Sequence, residues 1–275
     1  MRNLLPVVAG MFFFLTTTSF LFGSNPVASD TGKNPKKLQI SAGYYNLGSV
    51  DEIYSDHLYS GHDICYGLKY YYGKGAAREF TSLRMAMVDR TPHSLVLDDN
   101  TYGESDRARI LNSFLFEAIY SYQYPIRLQG AEHLKLFVTG DWITTVNLTT
   151  NSYGVPELVR SGISPGVQLE ANFNRHILNG RFYFPLVSWT VRNNYSQSMT
   201  QNYESLDKLY FVRKNDQLQF LNTLQEICAE LEYRLILSDR FDIGCEYDFR
   251  YMHNSSPREL RSATGIYTAY VTYKF

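Results

Sequence analysis

Residues 262–275 read SATGIYTAYVTYKF, and this C-terminal stretch sets the pattern for the chain. From Ala263 to Phe275 every second residue is aromatic, aliphatic or glycine, whereas the residues between them carry mostly hydroxyl groups. The stretches 227–237 and 241–251 alternate in the same way, and their apolar faces carry no charge. Because successive side chains of a strand point to opposite faces, this period of two predicts β-strands with one apolar and one polar face.

A helix is the alternative for the stretch that precedes residues 238–240. Five apolar residues recur there at helical spacing: Leu221, Leu224, Cys228, Leu231 and Leu235. Such a stripe is also typical of an amphipathic helix. We favour a strand, since residues 238–240 form a short turn that joins this stretch to the next strand as a hairpin.

The same alternation recurs upstream of the C-terminal hairpins. We expect seven further strands, at 38–44, 64–72, 81–89, 114–124, 134–142, 167–173 and, less regularly, 182–191. Long polar connections follow the odd-numbered strands, at 47–59, 90–109, 147–164, 192–216 and 253–261. Short turns follow the even-numbered strands, at 73–78, 125–132, 175–180 and 238–240.

Long connections on one side and short turns on the other are typical of a bacterial outer-membrane β-barrel. The sequence therefore predicts an all-β fold: a transmembrane, up-and-down antiparallel β-barrel of about ten strands over residues 37–275. An even strand number places both chain ends on the periplasmic side. A twelve-strand barrel is the alternative, in which residues 208–220 form an inserted hairpin with its tip at 214–216. A soluble sandwich or lipocalin-like barrel would show the same alternation with its faces reversed.

An export signal precedes the predicted barrel. Arg2 is followed by an uncharged apolar stretch at 4–22 and by the small residues at 27–29. This order is typical of a secretory signal peptide over residues 1–29, with 30–36 left as a short periplasmic segment. A membrane anchor is the alternative, since the apolar stretch is just long enough to span a bilayer.

Charge and cysteine content exclude several classes of function. The 275 residues include 26 Lys and Arg against 27 Asp and Glu, so no strong positive field attracts nucleic acid. The three cysteines, Cys65, Cys228 and Cys245, have no metal-ligand spacing and give no disulfide framework. We expect them to be buried or lipid-facing, and we predict neither a metal nor a cofactor.

The chain end resembles the signal that the outer-membrane barrel assembly machinery reads, a terminal Phe after alternating aromatic and apolar residues. The residues that carry this resemblance are Tyr267, Val271, Tyr273 and Phe275. Over its full length, with Tyr-rich strands and the stretch EYRLILSDRFDIGCEYDFRY at 232–251, the chain looks like the Tyr-rich outer-membrane barrels of the Bacteroidetes type. That resemblance implies a fold and a location, with outer-membrane lipid and the assembly machinery as partners, and no activity.

Charged residues are expected to face the lumen. The upstream members of this inward set are Lys69, Tyr71, Arg84, Glu117, Lys135, Asp141 and Glu170. The C-terminal members form a charge cluster: Glu230, Glu232, Arg234, Asp242, Glu246, Asp248 and Arg250. If Leu237 pairs with Phe241, Glu232 lies opposite Glu246, and like charges in that arrangement destabilise a sheet. Cations that reach across the bore could pair with these acids and so plug the lumen. If the acids are not fully paired, the lumen would be a narrow path for cations.

Three functions follow, in decreasing order of support. The first is a non-enzymatic envelope or surface protein with a plugged lumen, which contacts a glycan or a protein through loop aromatics such as Tyr195, Tyr203 and Tyr210. The second is a narrow cation-preferring channel. The third is a rim hydrolase of the omptin type, whose candidate residues are His62, Asp63, Asp98, Asp99 and His253.

Overall fold

The computed structural model describes residues 36–51, 55–73, 77–92, 111–126, 128, 133–149, 156–192, 216–256 and 259–275. The predicted signal peptide at 1–29 and most of the segment at 30–36 lie outside these residues. Within the described ranges, none of the secondary structure is a helix with the length and apolar character needed to cross a membrane.

Twelve strands make up the described secondary structure. They are β1 (Lys37–Asp51), β2 (Ser55–Tyr72), β3 (Arg78–Pro92), β4 (Leu111–Ile126), β5 (Leu134–Thr149), β6 (Pro156–Phe173), β7 (His176–Tyr183), β8 (Val187–Arg192), β9 (Asp216–Phe220), β10 (Leu224–Ile236), β11 (Phe241–Asn254) and β12 (Leu260–Lys274). The stretch with the helical alternative is thus strand β10.

Ten of these strands form a closed antiparallel ring. Each of β1 to β6 pairs with the next strand, β7 pairs with β10, and β10, β11 and β12 follow in order until β12 meets β1. The remaining two, β8 and β9, extend the sheet along the first half of β6, whose second half pairs with β7. The predicted ten-strand barrel is confirmed, and closure pairs the backbone groups that an open sheet would leave bare in lipid.

β1 begins and β12 ends at the same end of the barrel, where Lys37 pairs with Lys274. Strand β2 ends and β3 begins at this same end, and the turns at 174–175 and 237–240 lie there too, so we call it the turn side. Strands β3 and β8 end, and β4 and β9 begin, at the opposite end, which we call the loop side. Because 18 residues separate β3 from β4 and 23 separate β8 from β9, the predicted difference in length holds for these two connections.

Two of the other predicted long connections are wrong, because most of their residues are strand. β1 continues to Asp51 and β2 begins at Ser55, which leaves only 52–54 of the connection predicted at 47–59. β6 begins at Pro156, inside the connection predicted at 147–164. The inward residues Leu47 and Leu158 are apolar here, so the alternation of polar and apolar residues disappears while the strand continues.

The seventh strand differs most from its prediction. The turn expected at 175–180 is only Asn174–Arg175, with Asn174 in the left-handed region at φ 55°. β7 then begins at His176 and stops before Pro185, which lacks the N–H that a ladder needs. The hairpin tip predicted at 214–216 is also wrong in part, since Asp216 begins β9 and pairs with Val191.

Large apolar side chains cover the outside of the barrel. Strongly exposed examples are Ile40, Tyr66, Met87, Leu218, Leu231, Tyr267 and Val271. A continuous exposed apolar surface of this kind marks contact with lipid. Cys245 lies on this outer surface, whereas Cys65 and Cys228 are buried inside, as expected from the sequence.

Candidate functional site

Arg84 on β3 is the centre of a charged layer across the bore. Its guanidinium lies 2.7 Å from Asp248 and 3.1 Å from Glu246, measured between the nearest nitrogen and oxygen atoms. Both carboxylates belong to β11, which three strands separate from β3 around the ring. The contacts therefore span the lumen rather than follow the wall.

A second arginine closes the same layer from the opposite wall. Arg250 on β11 contacts both oxygens of Glu117 on β4, with its Nη2 atom 3.0 Å from Oε1. The same guanidinium also contacts Asp248 at 2.6 Å. Arg84 also contacts Glu117, at 3.4 Å, so two arginines and three carboxylates, with Glu246 included, form one connected group.

Two further cations extend this group to the rest of the circumference. Lys69 on β2 lies 2.9 Å from Glu246. Arg181 on β7 bridges Asp141 on β5 at 2.8 Å and Glu230 on β10 at 3.1 Å. We call this set the central layer. Its members are Lys69, Arg84, Glu117, Asp141, Arg181, Glu230, Glu246, Asp248 and Arg250.

Apolar side chains fill space beside the central layer. The buried cluster consists of Phe80, Ile119, Ile143, Tyr183 and Cys228, with Tyr71 packed against it. Removing water from around ion pairs raises the cost of breaking them, because a lone charge is then left in a medium of low dielectric.

The hairpin of β10 and β11 has the register expected from its turn. Glu232 lies opposite Glu246, and Leu237 donates its backbone N–H to the carbonyl of Phe241 at 3.0 Å. The two like charges, Glu232 and Glu246, contact different partner residues. Tyr270 donates its hydroxyl to Glu232, and Gly244 leaves the space that the Tyr270 ring occupies.

The remaining predicted members of the charge cluster lie nearer the turn side. Arg234 lies 3.5 Å from Glu232, and Asp242 pairs with Lys274 at 2.6 Å. Lys135 was expected to reach the cluster and instead lies 3.9 Å from Glu170 on the neighbouring strand. It is half-exposed, so its chain turns toward solvent at the mouth rather than into the bore.

Two cavities lie on either side of the central layer. The loop-side cavity has a volume of about 110 Å³ and is lined mainly by apolar groups above the layer, among them Tyr45, Leu47, Ala86, Leu115 and Ile266. The turn-side cavity has a volume of about 210 Å³ and is lined mainly by polar and charged groups, among them Lys37, Arg78, Glu170, Arg234 and Asn179.

Sequence reasoning missed several inward charges. Arg78 forms a two-point contact with Glu170, at 2.6 and 3.2 Å, but lay in a predicted turn. Arg160 contacts Glu226 inside the loop-side half, but lay in a predicted connection. The sequence would have placed Arg78 and Arg160 in the lumen only if strands β3 and β6 had been extended to include them. The polar residues around both positions do not indicate that extension.

The candidates for a rim hydrolase are not brought together in the described part of the chain. His62 on β2 stacks on Tyr44 of β1. His253 on β11 instead lies 3.2 Å from Glu259. Asp98 and Asp99 lie outside the described residues. The described ranges also contain no group of three His, Cys, Asp or Glu residues placed to hold a metal ion.

Comparison with known proteins shows the fold and nothing finer. The sequence matches no protein-family model and no curated protein. The outer membrane protease OmpT from Escherichia coli is similar in structure, with a TM-score of 0.50, 6% identity, and coverage of 90% of this chain and 99% of that chain. The translocator domain of the autotransporter NalP from Neisseria meningitidis has a TM-score of 0.42, 10% identity and 90% coverage of both chains. An outer membrane channel from Pseudomonas putida F1 has a TM-score of 0.40 and 9% identity, and the match covers 92% of this chain and 100% of that chain.

Proposed function

We propose that this chain is a non-enzymatic outer-membrane protein of a Gram-negative cell, with a bore that does not conduct. Its surface role would depend on the loop-side connections. The exposed apolar belt and the closed ring support a place in the outer membrane, where β-barrels of this kind occur. The observation that carries the proposal of a closed bore is the central layer.

The layer blocks the bore through contacts that an ion would have to break. Asp248 is fully buried, and two arginines contact it from opposite walls. Removing one partner of such a buried pair costs about 3–5 kcal/mol, since it strands the other charge. A passing ion would have to displace several of these contacts together.

A narrow cation path is the second candidate, and the pairing of the acids argues against it. A cation-selective pore requires carboxylates that are free to bind the ion. Every carboxylate in the following inward set already has a cationic partner: Glu117, Asp141, Glu170, Glu226, Glu230, Glu232, Asp242, Glu246 and Asp248.

The surface role draws its support from sequence. The connection 193–215 carries Tyr195, Tyr203, Tyr210 and Phe211 among polar residues, a composition that suits contact with a glycan or a protein. The export signal at 1–29 and the terminal Phe275 support delivery to the barrel assembly machinery. The Tyr-rich strands support an origin in the Bacteroidetes group.

Fractionation and flux measurements test the two parts of the proposal separately. We expect the full chain, expressed in a Gram-negative host, to fractionate with the outer membrane and to migrate differently on gels before and after boiling. Reconstituted in liposomes, the folded protein should release an entrapped monovalent salt no faster than protein-free liposomes do. Release that rises with the amount of folded protein would contradict the closed bore.

A further inference from the structure

The turn-side cavity contains an arginine that the rest of the described structure does not satisfy. Arg234 lines this cavity and is only 9% exposed. Within the described ranges, its buried Nε atom has no hydrogen-bond partner, and its ion pair with Glu232 is long, at 3.5 Å. Burying a guanidinium N–H without a hydrogen-bond partner is costly, so this position is suited to a further acceptor.

The acids of the cavity are largely occupied by other cations. Arg78 holds Glu170, Arg181 holds Glu230, and Lys69 holds Glu246, all in direct contacts of 3.1 Å or less. The oxygens of Glu232 already accept hydrogen bonds from Tyr270 and Asn179. Glu79 also borders the cavity and accepts a hydrogen bond from the hydroxyl of Tyr120.

Three cations are therefore left near two carboxylates, Glu79 and Glu232, which gives the cavity lining one excess positive charge. The three cations are Lys37, Lys135 and Arg234. Lys37 has no ion pair among the described residues, and Lys135 lies 3.9 Å from Glu170 with half of its side chain exposed. An excess of positive charge with unused donors, inside a concave site, favours a bound anion.

We propose that the turn-side cavity is a binding site for a small phosphate-class anion that enters from the turn side. Arg234 binds the anion in the interior, and Lys37 and Lys135 hold it at the mouth. A buried water needs only about 10–15 Å³, so a cavity of about 210 Å³ has room for a phosphate with a small organic group. The site stands independently of whether the bore conducts.

The anion comes from solution rather than from a lipid headgroup. The ring of ten strands is closed by backbone pairing on every side, so the membrane has no lateral opening into the cavity. The first residues of β1 and β3 line the mouth, which opens where the short turns lie.

Calorimetric titration of the folded, full-length barrel with inorganic phosphate tests the site. The measurement uses a non-ionic detergent and low ionic strength, and gel mobility before boiling verifies folding of each variant. We expect saturable binding of one phosphate, weakened about tenfold or more in Arg234→Gln, because a hydrogen bond to a charged group is lost. Lys37→Gln should weaken binding as well, and it provides a second variant if Arg234→Gln does not fold.

Arg240→Gln is the matched control, since Arg240 is exposed in the turn at the same end and does not line the cavity. Its affinity for phosphate should equal that of the wild type. No saturable heat with folded wild type, or an equal loss in Arg240→Gln, would overturn the proposal. Displacement of phosphate by phosphatidylglycerol added to the micelle would also contradict it, because the ligand would then be a headgroup.

Discussion

The two halves of the bore belong to the same ring of strands but differ in the residues that face inward. On the loop side, inward residues such as Leu47, Ala86 and Ile266 are buried and apolar, and they surround a cavity of about 110 Å³. On the turn side, the inward residues are mostly charged or amide-bearing, around a cavity of about 210 Å³. The central layer lies between the two cavities.

This difference shows that an inward position does not have to be polar. Below the central layer, most acids are paired with cations, and the cavity lining keeps an excess of positive charge. Above it, Leu115 packs with Cys65, Ala86, Val88 and Ile266 as in the core of a soluble protein. The loop-side half is therefore stabilised mainly by packing, with one buried ion pair between Arg160 and Glu226, and the central layer is stabilised by ion pairs.

The largest effect is expected at the central layer. Arg84→Ala should lower the free energy of unfolding by about 3–5 kcal/mol, because Glu117, Glu246 and Asp248 each lose a buried partner. Urea titration of the folded barrel in detergent measures this free energy of unfolding. Lys135→Ala, which removes a half-exposed cation, should change stability by less than about 1 kcal/mol. Equal losses in the two variants would show that the layer is not a stabilising unit.

The loop-side half should respond to lost volume. Leu115→Ala removes packing from a side chain that is 8% exposed and should cost about 2–3 kcal/mol in the same urea titration. Leu115→Met nearly conserves volume and should cost about 1 kcal/mol or less. If the two substitutions cost the same, packing does not hold this half together.

The salt dependence of the stability cost should differ between substitutions on the turn side and substitutions in the central layer. Arg78 is about one-third exposed, so Arg78→Gln should cost about 1 kcal/mol at low salt. That cost should shrink in about 1 M NaCl, where the Debye length is about 3 Å. The cost of Arg84→Ala should stay nearly constant over the same range, since Arg84 is itself largely buried together with its partners. A parallel decline in both variants would contradict the assigned burial.

The smallest perturbation changes no residue and uses the native cysteines. Cys65 and Cys228 are fully buried beside the bore, whereas Cys245 faces outward on β11. In bilayers, a charged maleimide should label none of the three, and a membrane-permeant maleimide should label Cys245 alone. Mass spectrometry of the peptides identifies the site. Labelling of Cys65 by the charged reagent would mean that water fills the loop-side half.

The same comparison explains what the sequence alone could predict. At the turn-side hairpin of β10 and β11, inward charges alternate with outward apolar residues, so both strands and the facing of Glu232 and Glu246 were predictable. In β3 the inward Ala86 and Val88 are as apolar as the outward Met85 and Met87. Period-two patterning weakens wherever both faces are apolar, and on the loop side this happens repeatedly.

The partners of the central layer lie beyond any local pattern. Arg84 and Asp248 are far apart in the chain and meet only because β12 closes onto β1. Alternation showed that both side chains point inward, but their contact depends on the diameter and stagger of the closed ring. The break at Pro185 was equally hidden, since the stretch around it keeps its apolar residues.

Single-channel recording in planar bilayers tests the closed bore most directly, with only protein that shows the mobility of the folded form. The account predicts no discrete current steps for the wild type. Steps should appear in the double variant Arg84→Ala, Glu117→Ala, which removes charges from both walls of the central layer. Discrete steps in the wild type that weaken in Glu230→Gln and Glu246→Gln would contradict the account and establish an acidic ion path.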